Sequence, residues 1–373
     1  MPSAKYKILI LSAPIGSGHA LAAQALEEEF KLFPHCQIIQ GSAFDFFPHF
    51  IGKTILKAYM LVLKHIPGVY ELAYKWGNGT GGSLWLRNGI NTFLAYLATD
   101  YLAKVQPDVV IATHATPAGI ISCYKQKTGK KILLASIITD FTIHKWWLCA
   151  GTNYYFVAAD NLKAQLSCLP QQEVCAYGIP IRQAFKDNFQ RNTLREKYKW
   201  ATTDLVCLLM GGGDGLLPMV EIIQGVTQHS HKKLHFVAIT GRNKQLAAQL
   251  AALKLQIEIY GFTDDIPELM HGADFLVSKA GGLTAAETLS TTLKYIIYKP
   301  LPGQEAANAQ YLKQAGAAYI AQTPLDVAKT INMYPDELQA QSMKMQTLGK
   351  PQAATMIVQK LLSAVAASKR LDQ

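Results

Sequence analysis

Charged side chains are scarce in this chain. Asp, Glu, Lys and Arg make up 17% of its 373 residues, and half of all residues are hydrophobic. Soluble proteins average about 25% charged residues. This composition excludes disorder or coiled coil as a description of the whole. Cysteine is sparse and scattered, at Cys36, Cys123, Cys149, Cys168, Cys175 and Cys207, with no CxxC pair. A zinc ribbon is therefore not expected, and free thiols in a reducing cytosol are. No uninterrupted apolar run reaches the roughly 18–20 residues that a membrane span needs, so any membrane contact is expected to be peripheral. No signal peptide precedes the first strand, which begins almost at once at Lys7–Ser12. No repeating period appears, which excludes solenoids and collagen. No GK[ST] follows a glycine loop, which disfavours an ATPase, and HExxH and DxD are absent as well. A nucleotide-sugar donor, if there is one, is then expected to react without a metal.

Acidic residues are the scarcer charges: 26 Asp and Glu stand against 36 Lys and Arg, a net charge of +10. An anionic partner fits this balance, whether nucleic acid, a phosphorylated ligand or an acidic membrane surface, and so does plain solubility charge. The length favours two domains.

The order of elements reads as α/β twice over. KILILSA (7–13) is a strand that runs into IGSGH (15–19) and then an amphipathic helix. Further strands are expected at 37–44, 108–114, 131–140, 154–160 and 173–180. The run 178–182 reads as a linker. The second half repeats the architecture with LVCLLMGGGDG (205–215), HFVAITGRN (235–243), IEIYGFTDDIPELM (257–270), DFLVSKAGGLTAAETL (274–289) and YIIYKPLPGQEAANAQYLKQAG (295–316). Two doubly wound domains are the economical description. The expected boundaries are 1–180, 181–350 and a C-terminal helix, 351–373, that packs on either domain. Residues 46–96 stand apart as an aromatic and basic helical insertion.

Several loops carry candidate chemistry. In KAGGLTAAE (279–287) a strand ends, two glycines follow and a helix opens, which suits either a phosphate seat or an ordinary tight turn. GGGDG (211–215) and GFTDDIPEL (261–269) end other strands, and in open α/β sheets ligands bind at such carboxyl ends. Gln304, Glu305 and Asn308 in PGQEAAN suit sugar hydroxyls or helix capping. Glu287 suits ribose hydroxyls or a helix dipole. His19 ends the first glycine loop as a structural histidine or a general base. His114, Asp140, His144, Trp146 and Trp147 end strands of the first half and are candidates to line an acceptor site. In 46–96, Lys53, Lys57, Lys64, Lys75 and Arg87 with their aromatic neighbours read as a lipid-facing surface or as a self-contained helical subdomain. RNA binding is disfavoured because no RRM or KH signature is present.

The ordered set ILILSAPIGSGHALAAQAL (8–26), ITDFTIHKWW (138–147), YGIPIRQAF (177–185), LLMGGGDG (208–215), ITGRN (239–243), YGFTDDIPELM (260–270), SKAGGLTAAE (278–287) and PGQEAANA (302–309) resembles the monogalactosyldiacylglycerol synthase and processive diacylglycerol glucosyltransferase family. That family is similar to the peptidoglycan lipid-linked N-acetylglucosaminyl transferase. The resemblance implies a GT-B fold, two Rossmann-like domains facing across a cleft, with a UDP-sugar donor held by the C-terminal domain. A diacylglycerol-type acceptor and an anionic membrane surface would meet the N-terminal domain, on the inner face of the cell membrane, with no nucleic acid and no cofactor. Residue by residue, it implies Gly212, Gly213 and Gly241 near the diphosphate, with Arg182 beside them. It places Phe262, Thr263 and Ile266 at the uracil, and Gly281, Gly282, Leu283 and Thr284 at the phosphate. Glu287 falls at the ribose, and Gln304, Glu305 and Asn308 at the hexose. Gly18 and His19 fall at the acceptor, His19 as the base. The implied reaction is inverting hexosyl transfer; a UDP-sugar 2-epimerase and an inert UDP-sugar sensor are the alternatives.

Overall fold

The computed structural model describes residues 6–13, 17–42, 45–46, 82–167, 171–187, 189–335 and 339–371. Lys53, Lys57, Lys64 and Lys75, with most of the 46–96 insertion, lie outside the described residues. The chain divides into two compact units. One comprises residues 1–183 with 352–373, and the other residues 184–351.

The first unit is a six-stranded, all-parallel sheet in the order β2-β1-β3-β4-β5-β6. Its strands are β1 (Tyr6–Ser12), β2 (Cys36–Ser42), β3 (Val109–Ala112), β4 (Leu133–Ile137), β5 (Tyr154–Phe156) and β6 (Glu173–Cys175). The helices used below are α1 (Gly18–Phe30), α2 (Gly82–Leu97), α3 (Thr99–Val105) and α4 (Ala115–Thr128). Both faces of the sheet are covered, which explains strands that read as continuous apolar runs. Strand period still sorts the side chains. Ile8 and Ile10 of β1 enter one core with Leu26 and Phe30 of α1, whereas Leu9 and Leu11 enter the other with Leu94, Leu102 and Ile120. Ile357, Val358 and Leu361, from the C-terminal end of the chain, complete the first of these cores.

The second unit is also six-stranded and parallel, in the order β12-β11-β10-β7-β8-β9. Its strands are β7 (Leu205–Met210), β8 (Leu234–Ile239), β9 (Ile257–Tyr260), β10 (Phe275–Ser278), β11 (Lys294–Tyr298) and β12 (Tyr319–Ala321). Its helices are α5 (Arg191–Lys197), α6 (Met219–His229), α7 (Lys244–Ala251), α8 (Ile266–Gly272), α9 (Gly282–Thr291), α10 (Gln304–Gln314), α11 (Pro324–Asn332) and α12 (Gln339–Leu348). The last helix of the chain, α13 (Ala353–Leu371), belongs to the first unit. In each sheet the strand order reverses once, between β1 and β3 and between β7 and β10. In open parallel sheets the ligand crevice lies at the carboxyl ends of the strands beside that reversal. The segments after β1 and β3, and after β7 and β10, are therefore where function is to be sought.

One buried ionic cluster holds the second unit together. The Asp274 carboxylate, buried before β10, accepts from Arg195 Nη2 at 2.6 Å, from the Val206 amide at 2.8 Å and from Arg191. Arg195 also donates to the carbonyls of Gly272, Ala201 and Asp204. Removing one partner of such a pair leaves an uncompensated buried charge, at a cost of about 3–5 kcal/mol. Asp274→Ala is accordingly expected to lower the denaturation midpoint of the protein sharply. A midpoint within experimental scatter of the parent would refute this role.

Candidate active site

In the second unit the turns after β7, β8 and β9 lock together. Arg242 N donates to Gly213 O at 2.9 Å, and Thr240 N to Tyr260 O at 2.9 Å. Asn243 Nδ2 donates to Gly215 O at 3.3 Å, and Arg242 pairs with Asp214. Two glycines are required by this closeness. A Cβ at Gly215 would sit 2.2 Å from Thr240 O, and one at Gly241 would sit 2.4 Å from Gly213 O, both at positive φ. Gly212 also has positive φ, with open space where a side chain would be. The loop backbone is thus bare on one side at Gly212.

The segment after β10 meets this loop's sheet position as its neighbour, since β10 pairs with β7. Gly281 is the N-cap of α9, in extended backbone, with no side-chain cap and no acid in the first turn. The first helical bond runs from Ala285 N to Gly281 O at 2.9 Å. The N–H groups of Gly282, Leu283 and Thr284 precede it and have no carbonyl in the helix to meet them. Three aligned donors and the positive end of the helix dipole form a seat for an anion. Glu287 is buried one turn further on.

Neighbouring residues brace this seat. Asn308, fully buried on α10, donates from Nδ2 to Ala280 O at 3.1 Å. Glu305 accepts from Lys279 Nζ at 2.9 Å and from Leu301 N at 3.2 Å. Tyr295 Oη donates to Lys279 O at 2.6 Å. Gln304 opens α10 behind Gly303 and is half-buried. In the turn after β9, Phe262 is 61% exposed. Thr263 and Asp265 bond one another there, and Ile266 is buried at the start of α8. An exposed aromatic ring in a turn at the carboxyl end of a strand can stack on a planar base. Arg182 belongs to the first unit.

In the first unit, Gly18 opens α1 and His19 follows it. His19 Nδ1 lies 2.7 Å from Thr113 O and 2.9 Å from Thr139 Oγ1. A carbonyl only accepts, so Nδ1 carries the proton and Nε2 holds the lone pair of the neutral ring. Nε2 has no hydrogen-bond partner among the described residues. Burial lowers the His19 pKa, against the Asp140 carboxylate and the Thr113 carbonyl, which raise it. The ring is therefore neutral at pH 7, as a proton acceptor must be. His114 stands edge-on to His19, with ring centroids 4.9 Å apart. Its Nδ1 accepts from Thr116 N as the N-cap of α4, and burial pushes its pKa down to about 3, with His19 adding to the effect.

His144 also caps a turn, accepting from Trp146 N at 3.2 Å. Trp147 is buried, and its carbonyl accepts from Tyr155 Oη at 2.8 Å. Arg87 spends its guanidinium on the carbonyls of Lys145, Trp146 and Leu148, so it is a cap for that turn. Thr113 and Thr139 were not among the expected site residues. They directly precede His114 and Asp140 at strand ends, which is the signal that would have found them.

Comparison with known proteins follows this division of the chain. Residues 19–181 match the family described as monogalactosyldiacylglycerol (MGDG) synthase, and residues 206–367 match the glycosyltransferase family 28 C-terminal domain. The processive diacylglycerol beta-glucosyltransferase of Bacillus cereus (strain B4264) is 29% identical over 369 residues, covering 96% of this chain and 93% of the relative. Among solved structures, Acinetobacter baumannii MurG has a TM-score of 0.66 at 18% identity, covering 96% of this chain and 99% of that one. UDP-GlcNAc 2-epimerase from Neisseria meningitidis has 0.60 at 13%, covering 96% and 100%. At such identities the structural likenesses speak for the fold, which is of the GT-B type. With both segments in order along the chain, its first half is similar to the monogalactosyldiacylglycerol synthase family and its second half to the glycosyltransferase family 28 C-terminal domain, and the chain is a glycosyltransferase.

Proposed function

We propose that this enzyme moves a hexose from UDP-glucose or UDP-galactose to the hydroxyl of diacylglycerol or a related membrane lipid, with inversion at the anomeric carbon. The observation that carries the reading is the uncapped N-terminus of α9, beside glycine turns whose backbone a ligand can approach. The relatives' printed name supports the lipid acceptor.

In this reading the second unit binds the donor. The N–H groups of Gly282, Leu283 and Thr284 hold the diphosphate, with Gly212, Gly213 and Gly241 close by. Phe262, Thr263 and Ile266 receive the uracil, Glu287 the ribose, and Gln304 and Glu305 the hexose. Asn308 and Lys279 keep the loop and the Glu305 carboxylate in place. His19 Nε2 takes the proton of the acceptor hydroxyl as its oxygen bonds to the anomeric carbon. The bond from that carbon to the phosphate oxygen breaks, and UDP leaves with the electron pair. The helix N-terminus meets its growing negative charge, so the step needs no metal.

Among the described residues no helix is long and apolar enough to cross a membrane. Peripheral docking on the inner face of the cell membrane is proposed instead. Helix α2 offers a surface for it: Trp85 is 78% exposed, Tyr96 74% and Phe93 60%, spaced to lie along one side. Aromatic side chains so placed enter the headgroup boundary of a bilayer. Serine at all three positions is expected to weaken vesicle binding at least about tenfold while leaving the fold intact, because exposed positions contribute little to stability. Unchanged vesicle sedimentation would remove this helix from the docking surface.

The function itself is tested by incubating the enzyme with radiolabelled UDP-glucose or UDP-galactose and liposomes containing diacylglycerol. A labelled glycolipid is expected. An epimerised sugar nucleotide, or binding without any product, would overturn the reading.

A further inference from the structure

We infer that Thr113 and Thr139 are positioning residues that fix the protonation face of His19; the inference rests on the reading of His19 as the base. Both threonines are buried at the carboxyl ends of adjacent strands, Thr113 just after β3 and Thr139 two residues after β4. Thr113 grips His19 twice. Its hydroxyl donates to the His19 backbone carbonyl at 3.0 Å, and its own carbonyl accepts from Nδ1 at 2.7 Å. Thr139 Oγ1, at 2.9 Å, supplies a second oxygen on the same nitrogen. Two oxygens crowding one ring nitrogen are tolerated only if that nitrogen carries a hydrogen. Rotation of the ring is held from the backbone side as well, so the lone pair on Nε2 keeps a fixed direction.

The arrangement serves both halves of a proton abstraction. Before it, the clamp excludes the tautomer with hydrogen on Nε2, which cannot act as a base there. After it, the imidazolium keeps its Nδ1–H on the same oxygens, and the Asp140 carboxylate favours the new charge. His114, the other titratable group against the ring, stays neutral and adds no repulsion. No group other than the acceptor's proton moves in this scheme, so nothing further is needed to balance it.

The test compares Thr139→Val with Thr139→Ser. Valine is expected to lower kcat about tenfold with little change in KM for the donor, and serine to restore most of it. The valine variant should also move the acidic limb of the pH profile to lower pH, because an oxygen that stabilises the imidazolium is gone while Asp140 and His114 remain. The decisive readout is independent of turnover. Long-range nitrogen–proton NMR of the intact protein should show neutral His19 with hydrogen on Nδ1 in the parent and, held by the Thr113 carbonyl, the same tautomer with a shifted Nδ1 resonance in the valine variant. Hydrogen on Nε2 in the parent would overturn the inference, as would a valine variant with unaltered Nδ1 resonance and kcat. If valine prevents folding, the parent spectrum and the serine variant decide. Should His19→Ala retain full transfer, the base reading fails while the tautomer result still stands by itself.

Discussion

His19→Ala is expected to lower the rate of glycosyl transfer by about two to four orders of magnitude, the range a positioned general base supplies. UDP affinity should not change, because the donor loops belong to the other unit. The loss should fall on kcat and kcat/KM alike, the signature of an interaction made only in the transition state. The ring is suited to the task by its surroundings. Burial keeps it neutral, Asp140 is close enough to favour the imidazolium once formed, and Nε2 is left open. A His19→Ala enzyme with near-parental kcat would mean that another group takes the proton.

The second large effect is one of opposite signs. Gly281 caps α9 in extended backbone at φ −70°, and a Cβ there meets nothing closer than Thr284 Oγ1 at 3.9 Å. Aspartate therefore fits, and it is among the best N-cap residues. Its carboxylate would accept from the N–H groups of the first turn and complement the helix dipole, adding about 1 kcal/mol of stability. The same carboxylate would occupy the donors that the diphosphate needs and repel its charge. Gly281→Asp is thus expected to raise the melting temperature while weakening UDP binding about a hundredfold or more. Titration calorimetry and a thermal melt read the two quantities separately. A variant that is both more stable and equally tight for UDP would place the diphosphate elsewhere.

What the sequence discloses of this molecule follows from the range of the forces involved. Strands such as KILILSA and LVCLLM are legible because period and β-branching act locally, and the positions of β1 and β7 follow directly. The short strand β12, three residues long, leaves no such mark. The glycine turns are legible as loops, since only a few residue types tolerate such backbone. The partners of the polar groups beside them are not. Asn308 and Glu305 read as polar side chains at a helix start, suited to sugar hydroxyls or to capping. Their hydrogen bonds to Ala280 and Lys279 reach back 28 and 26 residues. Arg87 reads as a surface cation, yet its partners are carbonyls some 60 residues away. The Thr113 and Thr139 clamp on His19 spans 94 and 120 residues. Such contacts depend on strand order, which no local pattern encodes.

The position of the diphosphate decides the account most directly. A crystal of the protein soaked with UDP is expected to show phosphate oxygens within hydrogen-bond distance of the amides of Gly282, Leu283 and Thr284, with the uracil against the turn of Phe262. Nucleotide bound away from the start of α9 would contradict it.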